Sequence, residues 1–157
     1  MKSKNLHVVT GKTVSPKVLP GWVRWIPVVL MAAGIFAGSS LPAGALPRLG
    51  LIPGTDKLVH LSEYGLLGFL FARAAAGPLT GELRAGTAPV RARIVVATLA
   101  AVLLYGISDE FHQSFVPGRS VEALDLLADV SGGGLGAAIA RMLATRSARS
   151  GGGRPQR

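Results

Sequence analysis

Acids and histidines recur at helical spacing in three separate parts of the sequence. They are Asp56, His60 and Glu63, then Asp109, Glu110 and His112, then Glu122, Asp125 and Asp129. Residues three and four positions apart lie on one face of an α-helix, so the spacing predicts helices that each carry a polar stripe. Such side chains can exchange protons with a substrate or ligate a divalent metal through oxygen and nitrogen. The sequence has no H-E-x-x-H motif, so it does not identify a metal.

The composition indicates that these helices lie in a membrane. Hydrophobic residues make up 49% of the 157-residue chain and charged residues only 16%, whereas soluble domains carry about 25% charged residues. The absence of cysteine excludes disulfide and thiolate chemistry. The net charge of +9 could suit nucleic acid, but aromatic residues are few and are not interleaved with basic ones. We therefore expect no nucleic-acid partner.

Four helices are predicted, separated by turns at Pro53-Gly54 and Pro117-Gly118. Their expected ranges are the uncharged run 25–47, then 55–76, then 91 to 112 or 115, and finally a helix from an N-cap at Ser120 to about 145. The first run is long enough to cross a bilayer core, which takes about 20 residues. The uncharged cores of the other three are shorter, so they span only if their polar flanks face the bundle interior.

The predicted fold class is therefore all-α, a polytopic integral membrane protein with four transmembrane helices. Residues 1–20 form a basic cytoplasmic segment, 21–145 the membrane domain, and 146–157 a disordered cytoplasmic tail. The first apolar run has a second interpretation, because a basic leader followed by Ala43-Gly44-Ala45 is also typical of a cleaved secretory signal. Both interpretations leave residue 48 on the outer side.

The charged residues are sorted along the chain. With alternating helices and a cytoplasmic N-terminus, 14 of the 17 lysines and arginines lie inside, and the exceptions are Arg48, Lys57 and Arg119. This positive-inside pattern predicts the bacterial inner membrane, with both termini cytoplasmic and anionic lipids at the inner face. Every acid except Glu82 lies at the outer end of a helix. Exposing each to lipid near the membrane centre would cost roughly 2.5–3.5 kcal/mol, so the polar stripes should face one another.

The fourth helix also carries a cluster of glycines. Gly132 and Gly136 are four residues apart, which is the spacing that permits close approach of two membrane helices. We expect a tight helix contact there.

Together these elements resemble the VanZ-like family over about residues 20–143. The matching motifs are D-K-x-x-H-x-x-x-Y at 56–64, D-E-x-H-Q at 109–113, P-G-R at 117–119 and D-x-x-x-D-x-x-x-G at 125–133. Glu122 is not part of the pattern. The resemblance implies a small bacterial integral membrane protein. The family's namesake is linked to resistance to teicoplanin, a lipoglycopeptide that targets peptidoglycan precursors outside the membrane.

The motifs and the topology together give a candidate site at the outer end of the bundle. The candidate catalytic residues are Asp56, His60, Asp109, Glu110 and Asp125. The candidate substrate-binding residues are Lys57, Tyr64, Gln113, Arg119 and Asp129. A divalent metal could serve as cofactor, with no metal identified by the sequence. Arg119, on its Pro-Gly turn, would suit a phosphate or carboxylate, or it would pair with Asp125 or another acid.

Several functions fit this site. The favoured one is binding of an envelope component or glycopeptide, with a contribution to teicoplanin-type resistance. The alternative is a membrane-embedded, metal-dependent enzyme that acts on a lipid or lipid-linked envelope substrate, and the sequence leaves the question of catalysis open. A transporter is less consistent, because the inner halves of the helices are nearly apolar. The polar residues could also form a purely structural network that ties the helices together.

Overall fold

The computed structural model describes residues 20–42, 45, 55–77 and 86–151, with side chains as far as Arg146. Within this part of the chain every regular element is helical. A 3-10 turn at Gly21–Trp25 precedes the four α-helices, which are α1 (Ile26–Ser39), α2 (Thr55–Ala75), α3 (Ala88–Gln113) and α4 (Ala123–Gly151). The predicted all-α fold with four helices is therefore confirmed.

Four boundaries differ from the prediction. Helix α1 ends at Ser39, short of the predicted 47. Helix α3 begins before Arg91, because Pro89 lies in its first turn, where the missing backbone N–H is not needed. Helix α4 begins at Ala123 and not beside Ser120, whose hydroxyl instead donates to the Glu122 carboxylate at 3.1 Å. The N-cap assignment of Ser120 was therefore wrong. Helix α4 also continues beyond 145, to Gly151.

The turns can be compared only in part. Gly118 adopts a φ of +76°, a left-handed conformation that favours glycine, so the turn at Pro117-Gly118 is confirmed. The turn at Pro53-Gly54 and the cleavage-like residues Ala43-Gly44 lie outside the described residues.

By length and apolar composition, three helical segments can cross a membrane. They are Gly21–Ser39, Ala88–Gln113 and Ala123–Arg146. Large apolar side chains such as Leu30, Val96 and Leu104 point away from the other helices and are well exposed, as expected for a surface in contact with lipid. These features indicate a multi-pass membrane protein. Helix α2 is not among the three segments, since charged residues interrupt its apolar sequence.

Helices α2 and α4 pack backbone against backbone. A Cβ atom added at Gly136 would overlap the carbonyl oxygen of Gly65, and one added at Gly68 would overlap the backbone of Gly133. The tight contact expected at Gly136 is therefore present, and its partner is α2. Toward the far end from the polar cluster, the same helices meet through alanines including Ala72 and Ala137.

Helix α1 joins the bundle through specific contacts. The hydroxyl of Tyr105 on α3 donates to the carbonyl oxygen of Ala32 at 2.6 Å. The rings of Trp25 and Phe71 meet edge to face, with centroids 5.2 Å apart. The first apolar segment thus packs as one of the four helices.

Candidate functional site

The four helices bring their polar ends together at one end of the bundle. This end comprises the C-terminal ends of α1 and α3 and the N-terminal ends of α2 and α4. It contains three adjoining groups of polar side chains, centred on Lys57, His60 and Asp109. The predicted stripes on α2, α3 and α4 therefore face one another, and α1 adds side chains that were not among the predicted site residues.

Lys57 lies among three carboxylates. Its Nζ atom is 2.9 Å from Asp56, 2.6 Å from Glu122 and 2.5 Å from Asp125. Asp56 is largely exposed, whereas Asp125 is buried. Hydrogen bonding to Lys57 holds the pKa of Glu122, which precedes α4, below its usual range. The ammonium group proposed for substrate binding therefore already has three anionic partners.

His60 forms the centre of the second group. Its Nδ1 atom lies 2.9 Å from Oδ1 of Asp129, and Glu110 offers a carboxylate oxygen within 4.8 Å of both residues. Glu110 accepts a hydrogen bond from the backbone N–H of Glu122 at 3.1 Å through Oε2. Its Oε1 atom is buried and has no hydrogen-bond partner. Three elements thus converge on one histidine and two buried acids.

Asp109 lies in the third group, next to α1. It accepts hydrogen bonds from the Ser39 hydroxyl at 2.6 Å and from the Gln113 amide at 2.9 Å. All three residues are buried. Gln113 is therefore a hydrogen-bond partner of Asp109 within α3, and the Ser39–Asp109 hydrogen bond holds α1 against α3.

His112 extends this contact between α1 and α3. Its ring stacks on Phe36 with centroids 4.4 Å apart, and its Nε2 atom is 3.0 Å from the Ser40 hydroxyl. Ser39 and Ser40 were not among the predicted site residues. The available signal was a pair of adjacent serines at the end of an otherwise apolar run.

Arg119 contacts the end of α1. Its Nε donates to the carbonyl oxygen of Leu41 and its Nη2 to that of Gly38, both at 3.2 Å. Carbonyl groups at a helix C-terminus lack intrahelical partners, so Arg119 supplies the hydrogen-bond donors that they need. In the described part of the chain it makes no ion pair, so the alternative role of pairing with Asp125 is not observed.

Tyr64 lies inside the bundle core beneath the polar groups. It is fully buried, its ring is stacked near His60 and tilted against Tyr105, and its hydroxyl has no hydrogen-bond partner. The position predicted to bind substrate is therefore covered by other residues in this structure.

A groove between α3 and α4 runs from the exposed apolar surface to Glu110 of the second group. Its volume is about 430 Å³. It is lined by Ile107, Glu110, Phe111, Ser114, Val121, Glu122, Ala123 and Leu126. The walls are mostly apolar and the two charged residues are both acids. Glu110 lines the groove and also lies within reach of His60, so it connects the groove with the buried cluster.

This arrangement combines an apolar wall with groups that bind cations, accept hydrogen bonds and move protons. An amine or hydroxyl group entering through the groove would meet carboxylates first. Asp125 and Asp129 lie deeper, toward α2 and away from the groove lining. The described end of the bundle therefore suits an amphiphilic molecule whose polar part donates hydrogen bonds.

Comparison with known proteins places these residues in a family context. A family model described as VanZ/LLP1 matches residues 8–144, which include all ten candidate residues. Searches of curated proteins and of solved structures gave no significant match.

Proposed function

The chain belongs to the VanZ/LLP1 family, and we propose that it spans the bacterial cytoplasmic membrane four times and binds a lipid-anchored envelope component at its extracytoplasmic end. The ligand would be a precursor or glycopeptide of the cell envelope, and its binding would contribute to teicoplanin-type resistance. The observation that carries the proposal is the apolar groove that leads from the lipid-facing surface to the carboxylate of Glu110.

Helix α2 would be the fourth span. Its 21 residues correspond to about 31 Å at 1.5 Å per residue, which matches a bilayer core of about 30 Å. Lys57 and His60 are directed at acids of neighbouring segments, while Leu58 and Leu66 are exposed on the outside of the bundle. The polar groups of Lys57 and His60 are therefore compensated inside the protein.

The orientation is predicted by the basic residues. We expect reporter fusions after Thr145 and within residues 78–90 to be cytoplasmic, and a fusion near Gly50 to be external, because 14 of 17 basic residues would then lie inside. Paired alkaline phosphatase and green fluorescent protein fusions measure this. An external signal at Thr145 would contradict the four-span arrangement.

The groove fits an amphiphile better than a soluble ligand. Phe111 and Leu126 provide an apolar wall for a lipid chain, and Glu110 and Glu122 lie where a polar head would be placed. Two carboxylates favour a head with amino or hydroxyl groups, which donate charge-assisted hydrogen bonds. Arg119 already contacts two carbonyl groups, so the protein's recognition of the head would depend on acids.

Filling the groove should remove the ligand. We expect Val121→Trp to lower the amount of co-purifying envelope lipid at least about tenfold, which corresponds to about 1.4 kcal/mol of binding free energy, because the indole would occupy the space of the lipid. Mass spectrometry of lipids extracted from protein in mild detergent measures the effect.

A second groove of about 430 Å³, lined by Ala138 and Arg141 among others, provides the matched control. It contains no carboxylate. We expect Ala138→Trp to retain the envelope lipid. Equal lipid in wild type and Val121→Trp would overturn the proposed binding site.

An enzymatic role is the second candidate. It is favoured by His60, whose imidazole is hydrogen-bonded to Asp129 and adjoins Glu110, an arrangement that could transfer protons at the head of a bound lipid. Product formation from the co-purified lipid on incubation with wild-type protein, but not with His60→Ala, would distinguish catalysis from binding alone.

A further inference from the structure

We propose that His60, Glu110 and Asp129 form a binding site for one divalent transition metal ion, Zn²⁺ or Mn²⁺. The three residues come from α2, α3 and α4, and each offers one ligand atom within 4.8 Å of the other two. Two ligand atoms on one ion at the usual bond lengths of about 2.0–2.2 Å lie at most about 4.4 Å apart, so only small side-chain shifts would bring all three atoms onto one ion. The site shares Glu110 with the lipid-binding proposal, but it binds a different ligand and does not depend on that proposal.

The carboxylate of Glu110 provides the observation that points to an additional ligand. Glu110 is only 6% exposed, and its Oε1 atom has no hydrogen-bond partner. A buried polar atom without a partner carries its full desolvation penalty, and the penalty is larger for a charged group. A metal ion held by Glu110 through this oxygen, together with His60 and Asp129, would supply its missing partner.

Charge balance leads to the same site. Glu110 and Asp129 are both buried, Asp129 to 1% exposure, and the only basic group in direct contact with either within the described residues is His60. One imidazolium neutralises at most one of the two carboxylates. A divalent cation would neutralise both and leave the imidazole as a neutral nitrogen ligand, which is the form that binds metals.

The neighbouring acid group does not have the same need. Asp56, Glu122 and Asp125 also lie close enough together to share an ion, but the ammonium group of Lys57 lies 2.5–2.9 Å from all three. A cation is therefore already in place among these carboxylates. We therefore expect a metal ion at His60, Glu110 and Asp129 but none among the acids around Lys57, although both clusters contain carboxylate ligands.

The donor atoms restrict the choice of metal. One imidazole nitrogen and two carboxylate oxygens suit Zn²⁺ and Mn²⁺, whereas copper(I) prefers the thiolate and thioether ligands that this site lacks. Three protein ligands leave a coordination position open. Because Glu110 also lines the groove between α3 and α4, an open position would lie near any polar head that enters there.

The test uses full-length protein purified in detergent, treated with chelator and titrated separately with Zn²⁺ and Mn²⁺. We expect about one ion of Zn²⁺ or Mn²⁺ per wild-type chain, as a single three-ligand site predicts. In Glu110→Gln and His60→Ala, affinity should fall by more than the roughly 10–100-fold that loss of an outer-shell partner causes. Elemental analysis after desalting gives the stoichiometry.

Glu110→Gln decides the matter if His60→Ala does not fold, because glutamine has nearly the volume of glutamate. The metal should raise the melting temperature of wild type and not that of Glu110→Gln. Asp56→Asn is the matched carboxylate control from the group around Lys57, and it should bind metal like wild type. The inference is overturned if wild type holds no more metal than the detergent blank, if Glu110→Gln binds like wild type, or if Asp56→Asn alone loses the ion.

Val121→Trp separates this inference from the proposed function. It fills the groove without altering a metal ligand, so it should lose envelope lipid and keep the ion. Loss of lipid with no metal in any sample overturns only the metal site, and bound metal with unchanged lipid overturns only the groove.

Discussion

Gly136→Leu is expected to destabilise the helix bundle by at least the upper end of the roughly 1–3 kcal/mol that overpacking usually costs. The Cβ atom alone would overlap the carbonyl oxygen of Gly65 and lie 2.6 Å from the backbone nitrogen of Phe69. These are backbone atoms of α2, which cannot move aside by a rotamer change. The two helices would have to separate along their whole contact. Thermal unfolding of the purified variant in detergent measures the loss.

Gly34→Leu is the matched control, since an added Cβ on this glycine of α1 would meet nothing within 4 Å. Leucine is also favoured over glycine in a helix, by up to about 1 kcal/mol. We therefore expect this variant to melt at or slightly above the wild-type temperature. If Gly136→Leu melts together with Gly34→Leu, then α2 and α4 do not make the close contact described above.

The sequence predicted that contact only from one side. Gly132 and Gly136 form the four-residue spacing on α4, so a tight interface was visible there. The partner glycines on α2, Gly65 and Gly68, are three residues apart, and the four-residue spacing of Gly68 and Ala72 was not used in the prediction. Which helix lies opposite is decided by the tertiary packing, and it could not be inferred from the spacing on one helix.

The sequence also predicted that the polar ends of the helices would converge, but it did not predict which side chains would contact one another. Alternating topology places the ends of α2, α3 and α4 at one depth, so the convergence of Lys57, His60 and Asp125 with their partners was expected. The individual side-chain contacts at this end of the bundle were not expected. Asp109 and Glu110 are adjacent in sequence but point about 100° apart around the helix, and so they contact different neighbours.

Contacts between side chains and backbone carbonyl groups could not be predicted from the sequence. Arg119 was expected to find an acid or an anionic ligand, because its own charge was the only visible clue. Its partners are the carbonyl groups of Gly38 and Leu41, which every residue type possesses. The side chain of Ser39 was overlooked for the opposite reason, since a serine that ends a helix has many ordinary roles.

Glu110→Gln is expected to abolish the cellular function while the protein still inserts at a normal level. Glu110 is the residue shared by the groove and the buried cluster, so under the proposed function its carboxylate would meet the head of the ligand. Removing one partner of a buried charged contact costs about 2–5 kcal/mol, which is roughly thirtyfold or more in affinity. Glutamine keeps the shape, so folding should survive.

The measurement is complementation of a strain that lacks this gene, followed by its teicoplanin susceptibility and its profile of lipid-linked envelope precursors. Glu63→Gln is the matched control, because Glu63 lies on the polar face of α2, half-buried, and does not line the groove. It should complement like wild type.

Comparing Asp109→Asn with Glu110→Gln tests whether the ligand binds in the groove between α3 and α4. Asp109 is next to Glu110 in sequence but contacts Ser39 and Gln113, and an asparagine could still accept one of these two hydrogen bonds. We therefore expect Asp109→Asn to retain more activity than Glu110→Gln. The opposite order would mean that the junction of α1 and α3, and not the groove between α3 and α4, is where the ligand binds.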